Sequence, residues 1–159
     1  MRVDRPLLAV ELTPRTDDDA KRLDRGLQAL SAEDPSLTVE RRGGGVLLGG
    51  VGEQHLEIVI HRLSREFCVE AGIGRLQVLL DNGLEPLMWI EVNVPDEYSR
   101  PLVEDLIRRG AHIEIDEMRA GARVIAGVAP LRLLLGYAGN LRAQTQGRGS
   151  FTMSLFGYR

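Results

Sequence analysis

The run VLLGGVGEQHLEIVIHRLSREFCVEAGIGRLQV, from Val46 to Val78, reads as strand, glycine-bearing turn, helix, strand. Val46–Gly49 is a short apolar stretch of strand length. A helix is expected from about Glu53 to Phe67, because Leu56, Val59, Ile60, Leu63 and Phe67 recur at the helical period. Val69–Val78 then reads as extended. Upstream, Leu8, Val10 and Leu12 alternate in a strand, Leu7–Thr13. Thr16-Asp17-Asp18-Asp19 follows as a capping pattern with acids in the first turn. Ala20, Leu23, Leu27 and Leu30 continue it as a helix that Pro35 stops. Leu37–Arg42 and Val46–Gly49 read as a hairpin around Gly43-Gly44-Gly45.

The second half repeats this order. Met88, Ile90, Val92 and Val94 alternate in a strand, and Ser99 is expected to cap a helix running to Arg109. Pro101 sits in its first turn, where proline is tolerated. Ala111–Asp116 and Arg123–Ala129 read as strands around Ala120-Gly121. Pro130 is expected to open a helix using Leu134, Tyr137, Ala138 and Leu141 and ending before Gly147, with Ser150–Leu155 as the last strand. Each half is therefore βαββαβ. The expected fold is α+β, two tandem ferredoxin-like domains with antiparallel sheets, residues 1–80 and 81–159. The boundary falls at Leu80-Asp81-Asn82-Gly83, where Asn-Gly favours a tight turn over a loose linker.

Composition agrees with a folded chain: 159 residues, 43% apolar and 27% charged. The apolar runs are too short to span a bilayer, so no membrane partner is expected. Met1-Arg2-Val3-Asp4-Arg5-Pro6 has no apolar core of a secretory signal, and the lone Cys68 excludes an internal disulfide; both fit the cytoplasm. Cys68, beside Phe67 at a helix end, reads as inert core. Net charge is −3 but unevenly spread. No acid follows Glu117, while Arg119, Arg123, Arg132, Arg142, Arg148 and Arg159 do. Such a block points either to an anionic partner such as RNA or to a basic face balanced by the acidic Asp96–Glu117 stretch.

Catalytic patterns are missing. Gly45–Gly50 is followed by Val51, so no phosphate-loop lysine is in place. His55 and His61 stand six apart on different sides of one helix and cannot share a metal. Glu53 and Glu57 share a face without a further ligand. No metal site and no catalytic residue is expected.

Gly50-Val51-Gly52-Glu53-Gln54-His55-Leu56-Glu57 resembles the Gly-x-Gly-Glu-x-His-Leu-Glu signature of the third domain of elongation factor G, a translational GTPase. Ala32-Glu33-Asp34-Pro35 and Arg65-Glu66-Phe67 resemble the ends of that domain's two helices. Leu84-Glu85-Pro86-Leu87-Met88 looks like the opening of the fifth domain, and Thr145-Gln146-Gly147-Arg148-Gly149-Ser150-Phe151 like its closing Thr-x-Gly-Arg-Gly-x-Phe motif. Leu79-Leu80-Asp81-Asn82-Gly83 stands where the fourth domain is expected.

The resemblance implies a ribosome-docking part of a translocation factor. Its partners would be large-subunit ribosomal RNA, small-subunit proteins and the family's GTPase domain, and not DNA. GTP, the family's cofactor, would bind on the GTPase domain. The third domain couples that site to the small subunit, the fifth contacts large-subunit RNA, and the fourth drives tRNA movement. RNA contact is expected at Arg142, Gln146, Gly147, Arg148 and Gly149, with the glycines admitting the main chain to a phosphate. Glu53 and His55 are expected at the interface with the GTPase domain; for His55 a satisfied, half-buried ring is the other reading. The alternative function is a tandem ferredoxin-like regulatory, ligand-binding or self-associating module, whose exposed sheet edges would favour pairing.

Overall fold

A computed structural model describes residues 5–159. The expectation of a missing signal core therefore lies largely outside the described residues, since it rests on Met1–Asp4. The chain divides into two compact units, one through Leu79 and one from Leu80.

The first unit runs β1 (Leu8–Pro14), α1 (Asp17–Glu33), β2 (Thr38–Arg42), β3 (Gly45–Gly50), α2 (Glu53–Phe67) and β4 (Ala71–Val78). Its antiparallel sheet has the order β2-β3-β1-β4. Leu8, Val10 and Leu12 of the central β1 are buried with Leu23, Leu27 and Leu30 of α1 and Leu56, Val59 and Leu63 of α2. Each such side chain contributes on the order of 2 kcal/mol. No single polar contact in the unit rivals that sum, so the apolar stripes set the fold. The helices meet closely at Gly26, where a Cβ would stand 2.7 Å from Leu63 Cδ2 and 3.0 Å from the Phe67 ring.

One buried carboxylate ties the start of α1 to the segment after α2. Asp19, 3% exposed, follows the N-cap Thr16, whose hydroxyl oxygen accepts the Asp19 N–H at 3.0 Å. The Asp19 carboxylate in turn accepts from the Thr16 hydroxyl at 2.8 Å, Arg22 Nη2 at 2.8 Å and the Glu70 N–H at 3.0 Å. The Glu70 N–H, then Arg22 and Thr16, pull the carboxyl down to about 2. Arg22 also donates through Nε to the Cys68 carbonyl at 3.2 Å. Cys68 itself departs from the core reading. It is exposed and caps α2 at φ 55°, a left-handed backbone that turns its side chain out of the helix stripe.

The second unit runs β5 (Pro86–Val94), α3 (Ser99–Arg108), β6 (His112–Arg119), β7 (Ala122–Pro130), α4 (Tyr137–Thr145) and β8 (Ser150–Tyr158). The sheet order β6-β7-β5-β8 repeats that of the first unit. Met88, Ile90, Val92 and Val94 alternate with half-exposed Leu87, Trp89, Glu91 and Asn93, so only one face of β5 is covered. The α+β, twice-repeated βαββαβ fold is thus the one expected. Two local readings change. Ser99 is the first residue of α3 and not its cap: a 3-10 turn, Asp96–Tyr98, precedes it, and its hydroxyl donates to the Asp96 carbonyl at 2.8 Å. Pro130 ends β7 and opens no long helix. A short 3-10 turn, Leu131–Leu133, follows, and Gly136 at φ 76° breaks the path before α4. Leu134, Tyr137 and Leu141 are buried as expected, while Ala138 is exposed.

Tyr137 is wholly buried, edge-on to Phe151 at 5.1 Å between ring centroids. The Arg109 guanidinium lies 5.2 Å over its ring, held by Asp105 Oδ2 at 3.1 Å and the Leu133 carbonyl at 3.0 Å. Arg109 is thus committed to this core. At the junction, Asn82 and Gly83 both take positive φ, 51° and 79°, and Asp81 and Leu84 exchange two backbone hydrogen bonds at 2.9 Å. That is the expected tight turn.

The Asp19 carboxyl is depressed in the folded state, so its contribution to stability is complete above the unfolded value of about 4. It should fade as pH falls from there to about 2. Thermal unfolding against pH should therefore show a shallower acid limb for Asp19→Asn than for the parent; parallel curves would remove the role given to Asp19. The Tyr137 hydroxyl has no bonding partner among the described protein groups, and burial pushes its ionisation up to about 12. Tyr137→Phe should leave stability unchanged or raise it by about 1 kcal/mol. A loss of that size in denaturant titration would contradict this placement.

Candidate nucleic-acid interface

The five residues expected to meet RNA lie together, on the last turn of α4 and the loop to β8. The helix ends by a left-handed cap, Gln146 at φ 54° followed by Gly147 at φ 78°. Arg142, Gln146, Gly147 and Arg148 are exposed, and Gly149 is half-buried.

The loop's backbone donors are already committed. Gln146 and Gly147 both donate to the Arg142 carbonyl, the latter at 2.9 Å. Arg148 donates to the Thr145 carbonyl at 3.0 Å, and Gly149 to the Thr145 hydroxyl at 3.0 Å. Thr145, wholly buried, completes the ring by donating to the Leu141 carbonyl at 2.7 Å. Gly149 is needed for packing, since a Cβ there would stand 2.9 Å from Val94 Cγ1. The glycines therefore build the turn. Their N–H groups are bonded within the turn.

The side chains divide in two. The Arg148 guanidinium donates to Glu97 Oε1 at 2.9 Å and lies 5.7 Å over the Tyr98 ring. Arg142 pairs with none of the described carboxylates, so it is the exposed cation of this surface without an internal counterion. Three more arginines of the block are paired as well. Arg119 pairs with Glu117, Arg123 with Asp96 at 3.0 Å and Asp116 at 3.5 Å, and Arg132 with Glu85 at 2.6 Å. Of the two readings of the one-sign tail, the folded chain thus favours the basic face balanced by the Asp96–Glu117 stretch. Sequence distance hid the partnership: Glu97 and Arg148 are 51 residues apart.

Glu53 and His55 occupy the first turn of α2, in the other unit. Glu53 is half-buried. His55 is satisfied at both ring nitrogens. Nδ1 accepts the Val51 N–H at 3.0 Å, which leaves the proton on Nε2 to donate to Asp34 Oδ2 at 2.6 Å. Asp34 also accepts from the Ser36 hydroxyl at 2.5 Å and the Ser36 N–H at 3.0 Å. Ser36 first and His55 next hold the Asp34 carboxyl below its ordinary range. This network joins the end of α1 to the start of α2, so His55 fits the satisfied, half-buried reading. Asp34-Pro35-Ser36 carried a usable signal for it, because aspartate before proline commonly bonds the backbone two residues on. Trp89 stands half-exposed on the sheet face opposite the helices, and Tyr137 is wholly buried. Among the described residues no cluster of His, Cys, Asp and Glu is arranged to hold a metal, and no helix is long and apolar enough to cross a membrane.

Comparison with known proteins accounts for both units. The family profile "Elongation Factor G, domain III" matches residues 3–75, and "Elongation factor G C-terminus" matches residues 82–159. Elongation factor G of Fervidobacterium nodosum is 25% identical over 270 aligned positions, covering 96% of this chain and 39% of that protein. The chain thus spans about two fifths of the length of the curated relative it matches. An alignment of 270 positions against 159 residues leaves on the order of a hundred positions of the relative unmatched, the size of one domain. A crystal structure of a Thermus thermophilus protein shares the fold, with a TM-score of 0.63 at 19% identity over 99% of this chain and 41% of its own. The chain belongs to the elongation factor G family, of which it carries domain III and the C-terminal domain in direct succession.

Proposed function

We propose that this chain is a ribosome-docking module that does not itself move tRNA or hydrolyse GTP. The observation that carries the reading is the succession of the two family matches, with only residues 76–81 between them. By resemblance, the domain that enters the decoding site belongs in that interval. Neither matched profile is the family's GTPase domain. Contact with ribosomal RNA and small-subunit protein is what the two present domains supply in this reading, and the cytoplasm is where it would take place.

Within that reading, Arg142 is the leading RNA contact. It is exposed, and a guanidinium presents a forked set of donors to phosphate. Gln146 lies one turn further along the same surface. Arg148 is available only in competition with Glu97, whose exposed ion pair is a weak one. Glu53, at the start of α2, marks the side proposed to meet a GTPase domain, with His55 holding the helix start in place. The self-associating alternative keeps one specific support, the uncharged edge of β8.

Because most arginines are already paired, docking should involve few phosphates. Co-sedimentation with ribosomes over a salt series should give a slope of only about one to two in log–log form. Arg142→Ala should weaken binding roughly fivefold, the loss of one exposed phosphate contact. Glu97→Gln should strengthen it by freeing Arg148. Ribosome binding that neither substitution changes, or no binding by the folded chain, would overturn the proposal.

A further inference from the structure

The two sheets end in four edge strands, and their charges differ. β2 carries Glu40, Arg41 and Arg42. β6 carries Glu114, Asp116, Glu117 and Arg119. β4 carries Arg75 and is interrupted by Gly72 and Gly74. β8, Ser150–Tyr158, has no charged residue and no proline in its nine positions. Leu155 and Phe156 on it are 45% and 61% exposed. Natural edge strands are commonly blunted by charge, proline or shortness. β8 carries one such device, an irregularity in its pairing with β5 that leaves Phe156 without a partner between Leu155 and Gly157. Up to that point no strand of its own sheet pairs with its outer side.

We propose that β8 pairs antiparallel with β8 of a second copy of this chain, joining two four-stranded sheets into one of eight strands. The strand is complementary to itself. A two-fold axis through Ser154 would set Met153 opposite Leu155 of the second copy, and Leu155 opposite its Met153. Met153 and Leu155 lie across from Ile90 and Met88, on the covered face of the sheet, so apolar side chains meet on that face. Ser154 lies across from Trp89, on the face opposite the helices, so serine meets serine there. No like charges are brought together. On β2, β4 or β6 the same operation would bring clustered charges or an arginine close to their own copies, which opposes pairing. An unrelated charged strand would find no counter-charge on β8, which favours the second copy as the occupant.

Sedimentation equilibrium from micromolar to near-millimolar concentration tests this without ribosomes, so its outcome is independent of the docking proposal. The parent chain should show a concentration-dependent monomer–dimer equilibrium. Ser154→Lys and Ser154→Glu, at an exposed position, should each weaken dimerisation roughly tenfold or more by placing like charges across the axis. Mixing the two variants should restore pairing as a heterodimer. Thr152→Lys serves as a second strand variant, and Thr38→Lys on β2 should have no effect. Circular dichroism confirms that each variant is folded. A parent chain monomeric throughout, a dimer that the Ser154 variants leave intact, or folded variants that fail to pair on mixing would each overturn the proposal.

Discussion

The leucine rows of two helices, set against one face of a four-stranded sheet, are the constraint from which the rest of each unit follows. In the first unit Leu23, Leu27 and Leu30 of α1 meet Leu56, Val59 and Leu63 of α2 over Leu8, Val10 and Leu12. In the second, Leu102, Leu106, Tyr137 and Leu141 cover Met88, Ile90, Val92 and Val94. Both helices of a unit lie on one face of its sheet. Each sheet ends in two edge strands, and the loops are tied by short polar bonds of about 1 kcal/mol each. Those bonds place function-bearing residues without determining the fold. The Asp19 and Asp34 networks fix how the helices begin and end, and the Thr145 ring fixes how α4 gives way to β8.

Charge, by contrast, is the least direct guide to what the chain does. A tail of six arginines with no acid invites an RNA-binding reading, yet Arg119, Arg123, Arg132 and Arg148 each face a carboxylate once the sheet has formed. Three of those carboxylates, Asp96, Glu97 and Asp116, come from the turn before α3 and from β6 of the same unit. Antiparallel pairing brings sequence-distant segments together and neutralises what looked like a one-sign block. Arg142 escapes because it projects from the last turn of α4. The case for ribosome docking therefore rests on family membership and on this small surface, and not on net cationic character.

Much of the fold was legible because it is written in local period. Helix α2 begins and ends where the spacing of Leu56, Val59 and Leu63 places it. Thr16 caps α1, and Asn82-Gly83 turns as an Asn-Gly pair should. The misreadings have local causes too. Leu134 and Tyr137 have helical spacing, but Gly136 in the left-handed region separates a 3-10 turn from α4. Cys68 follows an apolar stripe, but its own left-handed backbone turns it outward. The candidate site was legible in position and not in chemistry. The loop Gln146–Gly149 was located from its motif, whereas the use of its N–H groups within the turn depends on Thr145, and the hold on Arg148 depends on Glu97 and Tyr98. No spacing rule reaches such partners.

The most direct measurement of the central claim is competition for the ribosome between this chain and a full-length elongation factor G. If the two matched domains carry docking by themselves, increasing full-length factor should displace bound chain until none remains, because both occupy the same surface. If both stay bound together at saturation, or the chain never binds in the first place, domain III and the C-terminal domain in direct succession do not make a docking module.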